Sequence, residues 1–127
     1  MNQDIELDFN FTRITFRKDG ILHLHYADHY FTIEETKELF AYIRKNAPWD
    51  VSPIYITGDS FTGQDNESKT FNGSVEVTKH CSAIAIASKS LGQKIIANFY
   101  MKTIKPNSPT KFFNDEDSAI NWLKEYL

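Results

Sequence analysis

The run Ala83-Ile84-Ala85-Ile86-Ala87 is apolar at every position. A strand with one wet face alternates polar and apolar residues, so a strand with no polar residue must be covered on both faces. Such strands belong to parallel sheets, whose crossover connections lay helices on the sheet. The small alanines add that one covering helix packs closely. This segment demands layers above and below it, in a chain of 127 residues with room for a single core.

The rest of the chain supplies those layers. Phe11-Thr12-Arg13-Ile14-Thr15-Phe16-Arg17 and Ile21-Leu22-His23-Leu24-His25-Tyr26 both alternate, with the turn signal Lys18-Asp19-Gly20 between them. They predict a β-hairpin with Ile14, Phe16, Leu22 and Leu24 on one face, and Arg13, Thr15, Arg17, His23 and His25 on the other. Thr32 and Glu35 form a capping box before a helix carrying Ile33, Leu39, Phe40, Ile43 and Ala47, which Pro48 stops. Pro53–Thr57 reads as a short strand. Residues 71–80 hold poor helix formers (Gly73, Val75, Val77, Thr78), yet their place between two strands favours a short helix. Ser90-Leu91-Gly92-Gln93 is a second capping box, opening a helix to about Thr103, and Pro106 ends it. Thr110–Phe113 is a last strand. Asn114-Asp115-Glu116-Asp117 then places acid at the start of a helix lined by Ala119, Ile120, Trp122, Leu123 and Tyr126.

The expected architecture is an α/β sandwich of order ββαβαβαβα, with a mostly parallel sheet and one antiparallel edge, forming one domain over residues 1–127. Residues 1–10 are mixed and read as loosely ordered. The net charge of −3 argues against nucleic acid as a partner, which needs a basic face. No apolar run approaches the ~18 residues of a membrane span, and the start Met1-Asn2-Gln3-Asp4 is polar, so a cytoplasmic chain is expected. The single cysteine, Cys81, lies among apolar neighbours and reads as a small buried thiol. No cofactor is expected.

The helix after Ser90 is apolar nearly all round. Leu91, Ile95 and Phe99 form one stripe, Ile96, Tyr100 and Ile104 another, with Ala97 and Met101 between them. A helix on the outside of a sheet should have a polar back. Three accounts remain open: neighbouring elements cover it, it is a homodimer face, or it walls an apolar ligand pocket.

The segments Ser82–Ala87, Ile95–Phe99, Pro109–Phe113 and Ala119–Leu123, with the ending Phe-x-x-Glu-x-x-Ala-x-x-Trp-Leu over 113–123, resemble small bacterial STAS-like (SpoIIAA-like) proteins. The resemblance runs from about residue 11 to the end. It implies an α/β sandwich shared with anti-sigma-factor antagonists and, more distantly, with CRAL-TRIO lipid-binding domains. It also implies a regulatory role, with a switch serine in an Asp-Ser-(Ser/Thr)-Gly motif at a helix N-terminus. This chain has Asp59-Ser60-Phe61-Thr62-Gly63 in the matching region and departs from the motif by the extra Phe61.

Other constellations are thin. His23, His25 and the nearby His29 could approach a metal, but no accompanying ligand pattern supports one, and Arg13 and Arg17 share the face. His80 adjoins Cys81, yet adjacent residues of an extended segment point apart. Asp59, Asp65 and Glu67 lack the spacing of a calcium loop, and no Gly-Lys-Ser/Thr makes a phosphate loop. The expectation is a non-enzymatic regulatory or protein-interaction module. Its contact or switch loop is 58–72, with Asp59, Ser60, Thr62 and Ser68, and its partner is a protein or a second copy through Leu91, Ile95, Ile96, Phe99, Tyr100 and Met101. The alternative is a binding domain for a small apolar or lipid-like ligand, walled by that same helix.

Overall fold

The computed structural model describes residues 2–88 and 107–127. The apolar helix expected from Leu91 to Ile104, and with it the proposed interface or ligand wall, lies outside the described residues. Within them the chain forms β1 (Ile5–Phe9), β2 (Thr12–Phe16), β3 (Leu22–Tyr26), β4 (Tyr30–Phe31), α1 (Ile33–Asn46), β5 (Ser52–Gly58) and β6 (Gly63–Gln64). These are followed by α2 (Asn66–Asn72), α3 (Val75–Thr78), β7 (Cys81–Ala87), β8 (Thr110–Phe113) and α4 (Glu116–Leu123), with a closing 3₁₀ turn at Lys124–Tyr126.

The main sheet has the order β1-β2-β3-β5-β7-β8. The first three strands are antiparallel neighbours, and β3, β5, β7 and β8 run parallel. The expected hairpin is β2–β3, in register Ile14↔Leu24. Gly20, at φ +94, occupies the left-handed position of its turn, and the Asp19 carboxylate holds the Arg17 guanidinium and the Ile21 amide.

Two features differ from the sequence reading. Residues 5–9, expected to be loose, pair along their whole length with β2 as an edge strand, placing Ile5, Leu7 and Phe9 over the same face as Ile14 and Phe16. The alternation Ile-Glu-Leu-Asp-Phe that does this was obscured by the strand's shortness and its two acids. The stretch 58–72, expected to be a loop, contains β6 and the helix α2; β6 pairs with β4 in a small second sheet.

The core lies on both faces of the main sheet. On the first, Ile14, Phe16, Leu22, Leu24 and Ile54 pack under Leu39 and Ile43 of α1. On the second, Tyr55, Ala83, Ala85 and Ala87 meet Ala119, Ile120 and Leu123 of α4. Ala83, Ala85 and Ala119 are fully buried, so α4 sits almost on the backbone of β7, as the alanine pattern requires. Among the described elements α4 packs chiefly on β7, β5 and β8. The β1–β3 half of this face therefore carries polar side chains: Glu6, Asp8, Arg13, Arg17, His23 and His25.

Because Ala85 is fully buried against α4, Ala85→Leu is expected to destabilise the fold by about 1–3 kcal/mol through overpacking. Urea denaturation checks it: an unchanged midpoint would mean that α4 can lift without cost.

Candidate functional site

The C-terminal ends of β3 and β5 meet the β1–β2 turn and the segments 27–31 and 58–65 to form one rim. In open α/β sheets this end of the strands is where loops gather over the core. The turn is made by Asn10 and Phe11 alone, at φ 46 and 59. Positive φ at both central positions marks the type I′ hairpin turn, whose second position normally carries glycine. Phe11 holds it at a cost of about 1–2 kcal/mol for a side chain in left-handed conformation. Its ring lies flat on His29, at 3.9 Å between centroids and 14° between planes, and is 58% exposed. Asn10 ties the turn to helix α1 by donating from Nδ2 to the Glu35 carbonyl.

Helix capping fixes the neighbouring segments. The expected capping box is present: the Thr32 hydroxyl accepts from the Glu35 amide and the Glu35 carboxylate accepts from the Thr32 amide. The same carboxylate accepts from His29 Nε2 at 2.9 and 3.0 Å. The Thr32 amide first, and then His29, hold the Glu35 carboxyl below its ordinary range. Asp65 caps two helices at once, accepting from the Ser68 amide of α2 at 2.7 Å and from the Ile33 amide of α1 at 2.9 Å. Hydrogen bonds from Ser68, then from Ile33, lower its carboxyl as well. Between the two helices the Thr36 hydroxyl donates to the Ser68 hydroxyl at 2.8 Å.

These contacts sort the expected loop residues. Ser68 is fully buried and bonded into the α1–α2 interface, so its hydroxyl does not stand at the surface with the other loop residues; its place in a polar-looking loop hid a helix that packs inward. Asp59, Ser60 and Phe61 are exposed and Thr62 is half-buried. The turn closes by a bond from the Thr62 amide to the Asp59 carbonyl, and the Phe61 amide donates to the Asp28 carboxylate. Helix α2 begins only at Asn66, so Ser60 does not stand at a helix N-terminus, the place that the resemblance implied for a switch serine. At Gly58 a Cβ would meet Thr62 Cγ2 at 2.7 Å, which explains the glycine where the strand folds back on its own turn. Phe61 is 83% exposed and Tyr30 is 64% exposed. With Phe11, they place three large rings on adjoining segments of the rim.

Beside the rings runs a chain of polar groups that sequence reasoning did not assemble. His23 Nε2 lies 2.8 Å from the Thr57 hydroxyl, His25 Nδ1 2.7 Å from the same oxygen, and His25 Nε2 3.0 Å from an Asp59 carboxylate oxygen. The bonding is consistent in one direction. His25 donates to Asp59 and accepts from the Thr57 hydroxyl, whose oxygen accepts from His23. Burial first, and then the charges of His25, Arg17 and Arg13, lower the His23 pKa to about 4, which keeps that ring neutral. The signal lay in the register: His23↔Tyr55 and His25↔Thr57 are lateral neighbours on parallel strands, which no single strand reveals. Both nitrogens of His25 are occupied, so general-base work there would first have to break one of these bonds.

An open groove of about 410 Å³ adjoins this chain, lined by Asp8, Phe9, Phe11, Thr12, Arg13, His25, Ala27 and Asp59. Among the described residues no three His, Cys, Asp or Glu side chains gather as a metal site: His29 is spent on Glu35 and Asp65 on two helix caps. Burial pushes the Cys81 thiol up to about 11, and His80 turns away from it toward Arg44 and Asp50. Among the described residues no helix is long and apolar enough to cross a membrane.

Residues 14–127 match the family model described as a domain of unknown function (DUF7793). Among solved structures the chain is similar to the crystal structure of an uncharacterized protein of the DUF3478 family, with a SpoIIAA-like fold, from Shewanella loihica PV-4. Identity is 15%, covering 94% of this chain and 91% of that chain, with a TM-score of 0.52. That likeness establishes the SpoIIAA-like α/β fold which the sequence resemblance implied. No curated protein matches the chain.

The depressed pKa of His23 sets a pH dependence. As pH falls from 6.5 toward 4, the unfolded chain takes up a proton at His23 and the folded chain does not, so stability declines across that window. Glu35 and Asp65, lowered in the fold, contribute stability above their unfolded pKa values and lose it as pH falls through the folded ones. Nuclear magnetic resonance should find the His23 ring neutral down to about pH 4, and His23→Gln should flatten the decline in urea midpoint. A ring titrating near its ordinary value of 6.5 would contradict the assignment.

Proposed function

This chain belongs to the DUF7793 family, and we propose that it is a non-enzymatic protein-interaction module whose contact surface is the rim around Phe11, Tyr30 and Phe61. The observation that carries this reading is the exposure of three aromatic rings on segments that the fold holds firmly. Solvent-exposed aromatics on a rigid support have the character of interface anchors, which bury large area at small entropic cost. Phe61 sits on a turn bonded to Asp28, and Phe11 is kept in an unfavourable backbone conformation by its hairpin, by Asn10 and by its stack on His29. Strain retained at an exposed position favours a role for the side chain outside the fold itself.

The histidine chain fits the same reading. His25 joins Thr57 and Asp59, and the Asp59 amide donates to the Tyr26 carbonyl, so the network fastens the 58–62 turn to β3. That is a scaffold for a contact turn, and it leaves His25 no nitrogen for chemistry. Among the described residues, the groove beside Phe11 and a second beside Arg17 and Glu116 are open and lined with charged side chains, which suits a macromolecular contact. A regulatory role would follow from what docks at Asp59, Ser60 and Thr62, the loop residues that remain at the surface or near it.

Two variants test the reading. Phe61→Asp should remove a bound partner from affinity captures quantified by mass spectrometry, while Val51→Asp, at an exposed position outside the rim, should retain it. Equal recovery from both would defeat the rim assignment. Phe11→Gly removes about 1–2 kcal/mol of strain against about 0.5–1.5 kcal/mol of ring stacking. Its unfolding free energy should hold or rise while partner capture falls, and capture unchanged at Phe11→Gly would remove Phe11 from the contact.

A further inference from the structure

The other unfilled surface is an edge. Strand β1 ends the main sheet, and among the described residues nothing pairs with its outer side. An edge strand is a template for another chain, and proteins blunt such edges with proline, charged side chains (lysine above all), bulges or covering elements, of which β1 has only the two acids Glu6 and Asp8. Ile5-Glu6-Leu7-Asp8-Phe9 contains no proline or lysine and pairs with β2 without a register shift. Its closing pair, Phe9↔Thr12, flanks a two-residue turn and exchanges both hydrogen bonds, so Leu7 and Ile5 also bond inward. The amides and carbonyls of Glu6 and Asp8 then point out of the sheet.

The side chains state what the edge accepts. Ile5 (44% exposed), Leu7 and Phe9 lie on one face and offer apolar contacts to a neighbouring strand. Glu6 and Asp8 lie on the other. Arg13 pairs with Asp8 at 3.7 Å, but the cross-strand neighbour of Glu6 is Thr15, and no described cation pairs with it. A second copy is a poor occupant. In a two-fold antiparallel pair that keeps the apolar residues together, centring on Leu7 opposes Glu6 to Asp8. Centring on Glu6 or on Asp8 opposes each acid to itself. Like charges directly opposite destabilise a strand pair.

We propose that the outer edge of β1 is a strand-addition site for an extended segment of a partner protein in which basic residues alternate with apolar ones. The segment bonds to the outward amides and carbonyls of Glu6 and Asp8, sets Lys or Arg opposite those carboxylates, and packs its apolar residues beside Ile5 and Leu7. This inference rests on the reading of the chain as an interaction module but uses a different surface, so rim variants and edge variants fail separately.

A fluorescein-labelled peptide of alternating Val and Lys is the probe, read by anisotropy at neutral pH against the full chain. Binding is expected, with an alternating Val and Glu peptide showing none. Glu6→Pro removes an outward amide while sparing the bonds to β2, and should abolish binding with the circular dichroism spectrum unchanged. Glu6→Lys, which keeps the backbone, should weaken binding about fivefold or more. Phe61→Asp should leave binding intact. No binding by the intact chain, binding indifferent to both Glu6 variants, or equal binding of the acidic peptide would overturn the proposal. So would a neutral-pH dimer abolished by Glu6→Pro, which would give the edge to a second copy.

Discussion

Strand β5 is covered on both faces and the alanine face of β7 is dry, and this constraint decides where polar side chains of the domain can go. Ile54 and Ile56 pack toward α1, while Tyr55, Ala83, Ala85 and Ala87 pack toward α4. Between two dry layers a polar group without partners costs too much to keep. Polar chemistry is therefore displaced to the strand ends, as at Thr57 and Asp59, and to the β1–β3 half of the second face. The histidine chain occupies the border between these zones. Its groups are each supplied with partners, and His23 remains neutral because it is half withdrawn from water.

The rim owes its shape to helix capping more than to its own packing. Asp65 ends two helices with one carboxylate, and Glu35 serves a capping box and His29 together. Through His29 the second of these reaches the Phe11 ring, and through Asn10 the β1–β2 turn is bonded to the same residue's carbonyl. The left-handed Phe11 is thus over-determined by contacts on both sides of its backbone, which is the condition under which strain of this size persists.

Layering was legible in the sequence because burial writes itself into periodicity. The all-apolar run 83–87, the alternating hairpin and the Thr32–Glu35 box each carry a local signature that the structure repeats. The site was less legible, for two different reasons. Helix α2 has few apolar residues and is held by Asp65 and Ser68, so its composition resembles a loop although its backbone is fully organised. The His23–Thr57–His25–Asp59 chain depends on which strands are neighbours and in what register, a relation between segments more than thirty residues apart in sequence. The positive φ of Phe11 was equally hidden, since phenylalanine is not a residue that signals a type I′ turn.

Edge and rim are distinct surfaces that adjoin at the Asn10–Phe11 turn. Strand β1 runs directly into the Asn10–Phe11 turn, and the groove beside it is lined by Asp8 and Phe9 of the edge as well as Phe11, His25 and Asp59 of the rim. A strand laid against β1 would therefore lead its flanking residues past Phe11 into a groove bearing Asp8 with its partner Arg13, Asp59 with its partner His25, and aromatic side chains. Basic residues suit the edge through Glu6, and aromatic or polar residues suit the groove through Phe9 and Phe11. Two weak contacts joined by so short a path act at high effective concentration, so modest affinity at each is enough for firm binding together. The acids that discourage self-pairing of β1 thus also select the charge of whatever lies along it.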